Sequence, residues 1–316
     1  MMIFLVNLAQ ILLMILAAPM AVGIVKKMKA RLQNRQGAGI SQPYRDLSKL
    51  FGKELLLAEN ASWIFRAAPY IVFTSTVLAA SVVPVIVVDS PFSWTADVIA
   101  LAGFLAIGTF FTALAGMDVG TAFGGMGASR EMTFAALAEP ALLMSIFVLS
   151  VSAQSTNLSV MIHHILEAGL LLKPSIAFAL IAMLMVSIVE NGRIPVDNPG
   201  THLEVTMIHE AMLLEYSGRH LALIEWATQI KLVLFATLIF DLFFPWGISG
   251  TVAVSALLIA LGLWVFKLIV FFVLLVIMET GLAKMRLFEV PQFLSTAFFL
   301  ALLGMFMHYI LEVGAQ

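Results

Sequence analysis

Continuously apolar stretches, separated by short polar segments, run the length of this chain. A helix needs about 20 apolar residues to cross the hydrocarbon core of a bilayer, and about eight stretches reach that length. They cover roughly residues 2–25, 68–88, 97–117, 132–153, 172–190, 228–246, 252–278 and 290–311. No stretch alternates with the period of two that marks a barrel strand. The pattern predicts an all-α fold, a polytopic transmembrane helical bundle of about eight transmembrane helices.

The polar segments between these spans indicate one domain. No repeat of fixed period is present, and no Ser/Gly linker sets off a soluble part. Residues 1–316 are therefore predicted to form a single integral membrane domain, with long polar loops at 26–66 and 190–228. The first apolar stretch is too long for a cleaved signal peptide, so we interpret it as the first transmembrane helix.

Composition strengthens the membrane assignment and restricts the chemistry. The chain is 61% apolar and 11% charged, whereas soluble domains have about 25% charged residues. The chain is predicted to lie in a lipid bilayer and not to bind nucleic acid. The chain has no cysteine, which excludes a cysteine-ligated iron–sulfur cluster and any disulfide within it. If electrons are involved, they move on another subunit.

Lysine and arginine are distributed unevenly between the connections. Loop 26–66 holds nine of the 17 Lys and Arg residues, and most of the others, including Arg130 in the third-to-fourth connection, fall on the same side. The positive-inside rule makes that side cytoplasmic. The prediction is a multi-pass protein of the cell inner (cytoplasmic) membrane, with loops 26–66 and 190–228 in the cytoplasm and both termini external.

Residues 190–218 contain an unusual concentration of acids for so apolar a chain. The acids are Glu190, Asp197, Glu204, Glu210 and Glu215, with Glu225 just beyond. Charges beside a bilayer are costly unless they contact water, a partner or one another. We therefore interpret this cluster as a candidate functional site.

Local spacing in that segment predicts a helix. Thr201 and Glu204 fit a capping box, and Gly218 fits a helix stop. Such a helix would place Glu204 and Glu215 on one side, three turns apart. Two interpretations stay open: Glu204 acts as a cap alone, or it forms a functional pair with Glu215.

Two further motifs argue against metal and phosphate sites. The residues around His209 and Glu210 lack the H-E-x-x-H spacing of a zinc site, so no bound metal is predicted. The Gly-rich run 116–131 lacks the spacing of a phosphate-binding loop, so a flexible cytoplasmic turn is expected there. Glu139 follows Glu131 by two helical turns; it is either a second functional acid or a single interior hydrogen-bonding carboxyl.

Four ionisable residues fall inside or at the ends of predicted spans: Lys231, Asp241, Lys267 and Glu279. Charges at such depth are paired or line hydrated paths. Lys267, near the middle of its span, is the strongest of these signals. For Lys231 and Glu279, snorkelling to the interface is an equal alternative.

The polar segments carry a family resemblance. E-N-G-R-I-P-V-D-N-P at 190–199, E-Y-S-G at 215–218 and the basic loop 29–54 resemble the signature segments of the respiratory complex I subunit 1 family. Gly200 and His202 depart from its quinone-reducing members. In this respect the chain is similar to the membrane subunits of group 4 [NiFe]-hydrogenases, as in formate hydrogenlyase and hydrogenase 4.

The resemblance implies a subunit that joins a peripheral hydrogenase arm to antiporter-like membrane subunits and supplies the acidic entry to a proton or cation path. Expected partners are the hydrogenase large and small subunits and an iron–sulfur subunit, which would carry the [NiFe] centre and the iron–sulfur clusters. The chain itself is expected to hold no cofactor. The path or junction cavity is expected to involve Glu139, Glu190, Arg193, Asp197, Glu204, Glu210, Glu215, Asp241 and Lys267. The docking surface is expected to involve Arg31, Arg35, Arg45, Asp46, Arg130 and Glu131.

Other functions remain open at this stage. The main alternative is the quinone-site subunit of a complex I-like NADH dehydrogenase. A self-sufficient ion transporter would show paired broken helices at mid-membrane, and a passive anchor would have no ion path.

Overall fold

The computed structural model describes residues 2–88, 97–168, 173–193, 207–250, 253–283 and 285–313. Within these ranges the chain is helical and contains no named β-strand. The helices are α1 (Met2–Leu32), α2 (Gln42–Phe51), α3 (Trp63–Val82), α4 (Val98–Asp118), α5 (Ala122–Ala153), α6 (Leu158–Ala168), α7 (Pro174–Glu190), α8 (His209–Leu213), α9 (Gly218–Phe243), α10 (Val254–Gly281) and α11 (Val290–Met307).

The predicted all-α polytopic bundle is confirmed. In the described ranges, 7 helical stretches are long and apolar enough to cross a membrane, and they lie in α1, α3, α4, α5, α9, α10 and α11. The remaining candidate, α7, is apolar but has 17 residues. At 1.5 Å per residue it rises about 26 Å, slightly less than the bilayer core.

Two helices begin well before the apolar runs that predicted them. α5 starts at Ala122 and α9 at Gly218, where the sequence predicted spans from 132 and 228. The added turns contain charged residues, among them Arg130 in α5 and Glu225 in α9. Arg130, expected in a connection, lies inside α5 and donates to the carbonyl of Met207 at 3.1 Å.

The Gly-rich run 116–131 is mostly helical, so the predicted flexible turn is wrong. Only a short turn separates the end of α4 from the start of α5. A Cβ on Gly124 would collide with the carbonyl oxygen of Gly116, and one on Gly127 would lie 2.9 Å from the carbonyl oxygen of Ile208. Small residues here allow α4, α5 and α8 to approach closely, as at many membrane helix interfaces.

The predicted helix is present at His209–Leu213, but it does not continue to Gly218. α8 ends at Leu213, and Gly218 is the first residue of α9, with φ +53°. A Cβ at this position would lie 2.7 Å from the carbonyl oxygen of Glu54. The glycine therefore serves a close backbone approach and a left-handed conformation.

The neighbouring Tyr216 and Ser217 fasten the same loop. The Tyr216 hydroxyl donates to the Phe65 carbonyl at 2.9 Å, and the two rings stack with centroids 4.0 Å apart. Ser217 Oγ accepts from the Leu56 amide and donates to its carbonyl, both at 3.0 Å. Residues 216–218 thus hold the connection between α2 and α3 against the start of α9.

We call the end of the bundle that carries loop 26–66 the basic face. α9 runs from Gly218 at this face to Phe243 at the opposite face, a rise of about 39 Å through the bundle. Its central residues from Leu232 to Ile239 are almost all fully buried. α9 is therefore the axis from which the polar groups of both faces can be placed.

Candidate functional site

A cavity of about 870 Å³ lies at the basic face, among α1, α3, α4, α5, α8, α9, α10, the end of α7 and the residues that follow it. One part of its wall is apolar and includes Val22, Leu105 and Phe134. The other part is ionisable. It comprises Lys26, Lys29, Glu131, Glu190, Arg193, His209, Glu210, Glu225, Lys231 and Glu279. The volume falls in the range of small-molecule pockets, roughly 300–1,000 Å³.

The first ion pair of the wall joins α7 to α9. Glu190, the last residue of α7, accepts Lys231 Nζ at 2.7 Å through Oε2. Both side chains are largely buried, with 10% and 16% of their surfaces exposed. Lys231 is therefore paired inside the bundle, and the snorkelling alternative is wrong for it. Such a pair is stable only because each charge neutralises the other.

The second charged group joins three elements through one carboxylate. Glu279 at the end of α10 is 5% exposed. Its Oε2 lies 2.8 Å from Lys29 Nζ of α1, and its Oε1 lies 3.5 Å from Nη1 of Arg193. Burial lowers the pKa of Arg193, and the charge and hydrogen bond of Glu279 oppose that shift. Glu279 thus ties α1 and the residues after α7 to α10.

His209, the first residue of α8, lines the same cavity. Its Nε2 lies 3.5 Å from Thr228 Oγ1 on α9. Burial lowers the pKa of His209 to about 4, and the positive charge of Lys231 acts in the same direction. The imidazole is therefore neutral at pH 7, and the cavity wall holds a polar group that can take up a proton only under acidic conditions.

Two further acids, Glu225 and Glu139, lie on the helices near these charged groups. Glu225 of α9 interacts electrostatically with Lys26 of α1 and with Asp46 of α2. Glu139 of α5 is partly buried and interacts electrostatically with Glu190 and Lys231. The structure therefore links Glu139 to the Glu190–Lys231 pair, although Glu139 does not line the cavity itself.

The other expected path residues fall into three groups. Asp197 and Glu204 lie outside the described residues. Glu215 is exposed in the turn after α8, away from the cavity wall. Asp241 and Lys267 are buried at the other end of α9, so the cavity does not contain them.

The expected docking residues are mostly surface groups of the basic face. Arg31 and Arg35 are exposed at the end of α1 and just after it, and Arg45 is exposed on α2. Asp46 accepts a hydrogen bond from Gln42 at 2.7 Å. Arg130 and Glu131 instead sit in α5, where Glu131 lines the cavity.

Sequence reasoning missed six ionisable members of the wall as site residues: Lys26, Lys29, His209, Glu225, Lys231 and Glu279. Lys29 was counted only among the loop charges, and His209 was weighed only as a metal ligand. The usable signal was the position of Lys231 and Glu279 within apolar runs, because an intramembrane charge points to a partner. Nothing in the spacing identifies that partner.

Comparison with known proteins gives a family and two full-length relatives. The family description NADH dehydrogenase matches residues 5–310. Hydrogenase-4 component C of Escherichia coli K12 is 36% identical over 297 residues, covering 94% of this chain and 93% of that protein. Formate hydrogenlyase subunit 4 of the same organism is 33% identical over 297 residues, covering 94% of this chain and 96% of that protein.

A solved structure shares the fold. A chain of the membrane-bound sulfane sulfur reductase, an archaeal respiratory membrane complex, superimposes with a TM-score of 0.83 at 20% identity, covering 97% of this chain and 99% of that chain. The expected membership and the expected hydrogenase branch are both confirmed. This chain belongs to the NADH dehydrogenase family of complex I subunit 1 type, in the branch that contains hydrogenase-4 component C and formate hydrogenlyase subunit 4.

Proposed function

We propose that this chain is the membrane subunit of a group 4 [NiFe]-hydrogenase complex of the formate hydrogenlyase type. It anchors the peripheral hydrogenase arm and links electron transfer in that arm to movement of protons or cations. The observation that carries the proposal is the cavity of the basic face, whose wall combines the Glu190–Lys231 pair with the Glu279 group. Support comes from the two full-length relatives, which are named as subunits of a hydrogenase and of formate hydrogenlyase.

In this proposal some partners bind the basic face of the bundle and others contact it within the membrane. Hydrogenase large and small subunits and an iron–sulfur subunit cover the basic face, with exposed Arg31, Arg35 and Arg45 as contact groups. Antiporter-like subunits lie beside the bundle in the membrane. The basic face is cytoplasmic in the inner membrane, and both termini are external, in accord with the positive-inside rule.

The metal centres belong to the arm. This chain has no cysteine, and its described residues include no cluster of three His, Cys, Asp or Glu side chains suited to a metal ion. Its residues therefore do not fit a [NiFe] centre or an iron–sulfur cluster. No step of the proposed coupling runs through a metal held by this chain.

Coupling follows from the electrostatics of the cavity. A change of charge at a nearby redox centre shifts the relative stability of protonated and ionised carboxylates, because mutually interacting groups titrate together. Glu190 and Glu279 are each held by cations from other elements, so a proton that reaches either carboxylate releases those cations. The other acids of the path in this proposal are Glu139, Asp197, Glu204, Glu210 and Glu215.

Sealed inverted membrane vesicles test the coupling. Glu190→Gln and Glu279→Gln keep side-chain size and remove a titrating carboxylate. The expected result is a fall in the number of protons moved per hydrogen turned over, measured with a fluorescent pH probe. Glu59→Gln, an exposed acid of the basic face outside the cavity, is the control and should leave the ratio intact. An unchanged ratio in both cavity variants argues for a passive anchor.

Docking has its own test. Reversing Arg31 and Arg35 to Glu should release hydrogenase activity from membranes into the soluble fraction, since both side chains are exposed. Full retention of membrane-bound activity in this variant would place the arm elsewhere.

The apolar part of the wall favours one second candidate, a quinone-site subunit. Val22, Leu105 and Phe134 form a surface against which a quinone ring would pack. Organic extraction of the purified complex decides between the candidates, because stoichiometric bound quinone supports the second and its absence supports the first.

A further inference from the structure

Two ionisable residues outside the cavity share one site near the face opposite the basic face. Asp241 lies in the last turn of α9 and is 2% exposed, and Lys267 of α10 is 4% exposed. The two groups interact electrostatically. No described group donates a hydrogen bond to Asp241 Oδ2, although this atom is buried. An intramembrane carboxylate with an unused oxygen is costly unless a cation, a proton or water reaches it.

Lys267 of this pair lies close to an aromatic ring that is partly exposed at the protein surface. Lys267 Nζ lies 5.7 Å from the ring centroid of Trp246, a distance suited to a cation–π contact. Trp246 belongs to the connection after α9 and is 45% exposed. A partly exposed indole ring therefore lies beside the Lys267 ammonium group.

The path toward the cavity is closed by apolar packing. Asp241 lies ten residues beyond Lys231 on α9, about 15 Å along the helix axis. Between them Phe235, Leu238 and their neighbours are almost completely buried. The one hydroxyl in this stretch, Thr237 Oγ1, already accepts a hydrogen bond from Trp264 Nε1 at 3.0 Å. This part of α9 contains no ionisable side chain.

We propose that Asp241 and Lys267 form a proton-exchange site that opens to the face opposite the cavity, with Trp246 as its roof. A proton taken up by the Asp241 carboxylate gives the carboxylic acid, and its return to water at the opposite face restores the carboxylate. The inference rests on the proposed coupling function, for which it supplies the exchange site of the second face.

Accessibility of single cysteines tests the site without relying on coupling. This chain contains no cysteine, so Asp241→Cys, Phe235→Cys and Thr228→Cys each introduce one reporter in the intact complex. A small charged methanethiosulfonate is added to sealed vesicles of either orientation, and this chain is then isolated to measure its labelling. The thiol of the Asp241→Cys variant should react at least about tenfold faster from the opposite face than from the basic face, because only a hydrated thiol reacts.

The other two variants are matched controls. Thr228→Cys places its thiol in the cavity and should react from the basic face, whereas Phe235→Cys places its thiol in the apolar middle of α9 and should react from neither. Adding Trp246→Ala to Asp241→Cys should accelerate labelling from the opposite face, whereas Trp246→Phe should not. Asp241→Cys alone leaves the buried Lys267 ammonium group without its carboxylate neighbour. The double variant Asp241→Cys with Lys267→Met removes that charge and gives a second background for the labelling. Labelling of the Asp241→Cys variant only from the basic face, or not at all in both backgrounds, overturns the proposal.

Coupling measurements separate this proposal from the one on which it rests. Asp241→Asn with Lys267→Met should reduce acidification per hydrogen, and Asp241→Glu should retain it. If the unaltered complex moves no protons, the coupling function fails even when the labelling pattern is as expected. If the complex moves protons but the double variant matches it, the pair is a structural contact and the proton-exchange site is wrong.

Discussion

Trp226 on α9 donates a hydrogen bond from its indole Nε1 to the backbone carbonyl of Ile15 on α1, at 3.1 Å. Ile15 lies four residues before Pro19, which has no amide hydrogen to offer it. The next carbonyl, that of Leu16, accepts the hydroxyl of Tyr44 on α2. The Ile15 carbonyl needs such a substitute inside a membrane, because lipid provides no donor. The two hydrogen bonds thus fasten α1 to α9 and to α2.

Trp226→Phe should destabilise the protein by about 1–3 kcal/mol, because the Ile15 carbonyl is left without a partner. Pro19→Ala restores an amide at the position that normally serves Ile15. In that background the Trp226→Phe substitution should cost much less. Thermal denaturation of the purified complex gives all four melting temperatures of this cycle. Equal losses in both backgrounds would show that the indole acts through packing alone.

The glycines at the start of α5 give a second stability test. Gly124→Ala should destabilise by about 1–3 kcal/mol, as overpacking does, since its Cβ would collide with Gly116 of α4. Gly125→Ala is the matched control, because nothing lies within 4 Å of its added Cβ. It should stabilise by up to about 1 kcal/mol through helix propensity. Similar melting temperatures for the two variants would contradict the close contact of α4 with α5.

The bundle could be predicted from the sequence because lipid imposes a simple rule on composition. Every span must be apolar and long enough, and the runs around α4, α10 and α11 show this directly. Helix starts were less visible. The carbonyl of Met207, which precedes α8, accepts a hydrogen bond from Arg130, and local sequence does not show this partner in the first turns of α5.

The sequence predicted the part of the site that lies in one polar segment, from Glu190 to Glu210. Glu190 and Arg193 stand out in a polar segment, but their partners Lys231 and Glu279 come from distant helices. Lys29 and Glu279 are 250 residues apart, and no local spacing encodes such a contact. Local patterns also misled at Gly218, where a residue that resembles a helix stop begins α9 because of its contact with Glu54.

Loss of the Glu279 carboxylate should loosen the basic face. Glu279→Ala leaves Lys29 and Arg193 without their shared partner, and removing one member of a buried ion pair costs about 3–5 kcal/mol. Limited trypsin digestion should then cleave after Arg193 and Lys29 faster than in the unaltered protein. Glu289→Ala, which removes an exposed acid before α11, is the control and should leave both cleavage rates unchanged.

His209 gives the cavity a pH dependence whose direction can be derived. The pKa of His209 is lowered to about 4 in the folded protein, whereas an unfolded histidine titrates near pH 6.5. Between these values the unfolded chain binds the proton and the folded chain does not. The stabilising contribution of neutral His209 is therefore complete above about pH 6.5 and is lost as the pH falls toward 4, up to about 3 kcal/mol.

His209→Gln removes this titration and keeps a polar group facing Thr228. Other titrating groups are common to both proteins, so their contributions cancel in the comparison. The expected result is that the melting temperature falls further between pH 7 and pH 5 in the unaltered complex than in the variant. Lys231→Met should also reduce this pH dependence, because the positive charge of Lys231 helps to lower the pKa of His209. Parallel pH profiles for the unaltered protein and His209→Gln would mean that the imidazole is already hydrated in the cavity and titrates as it does in the unfolded chain.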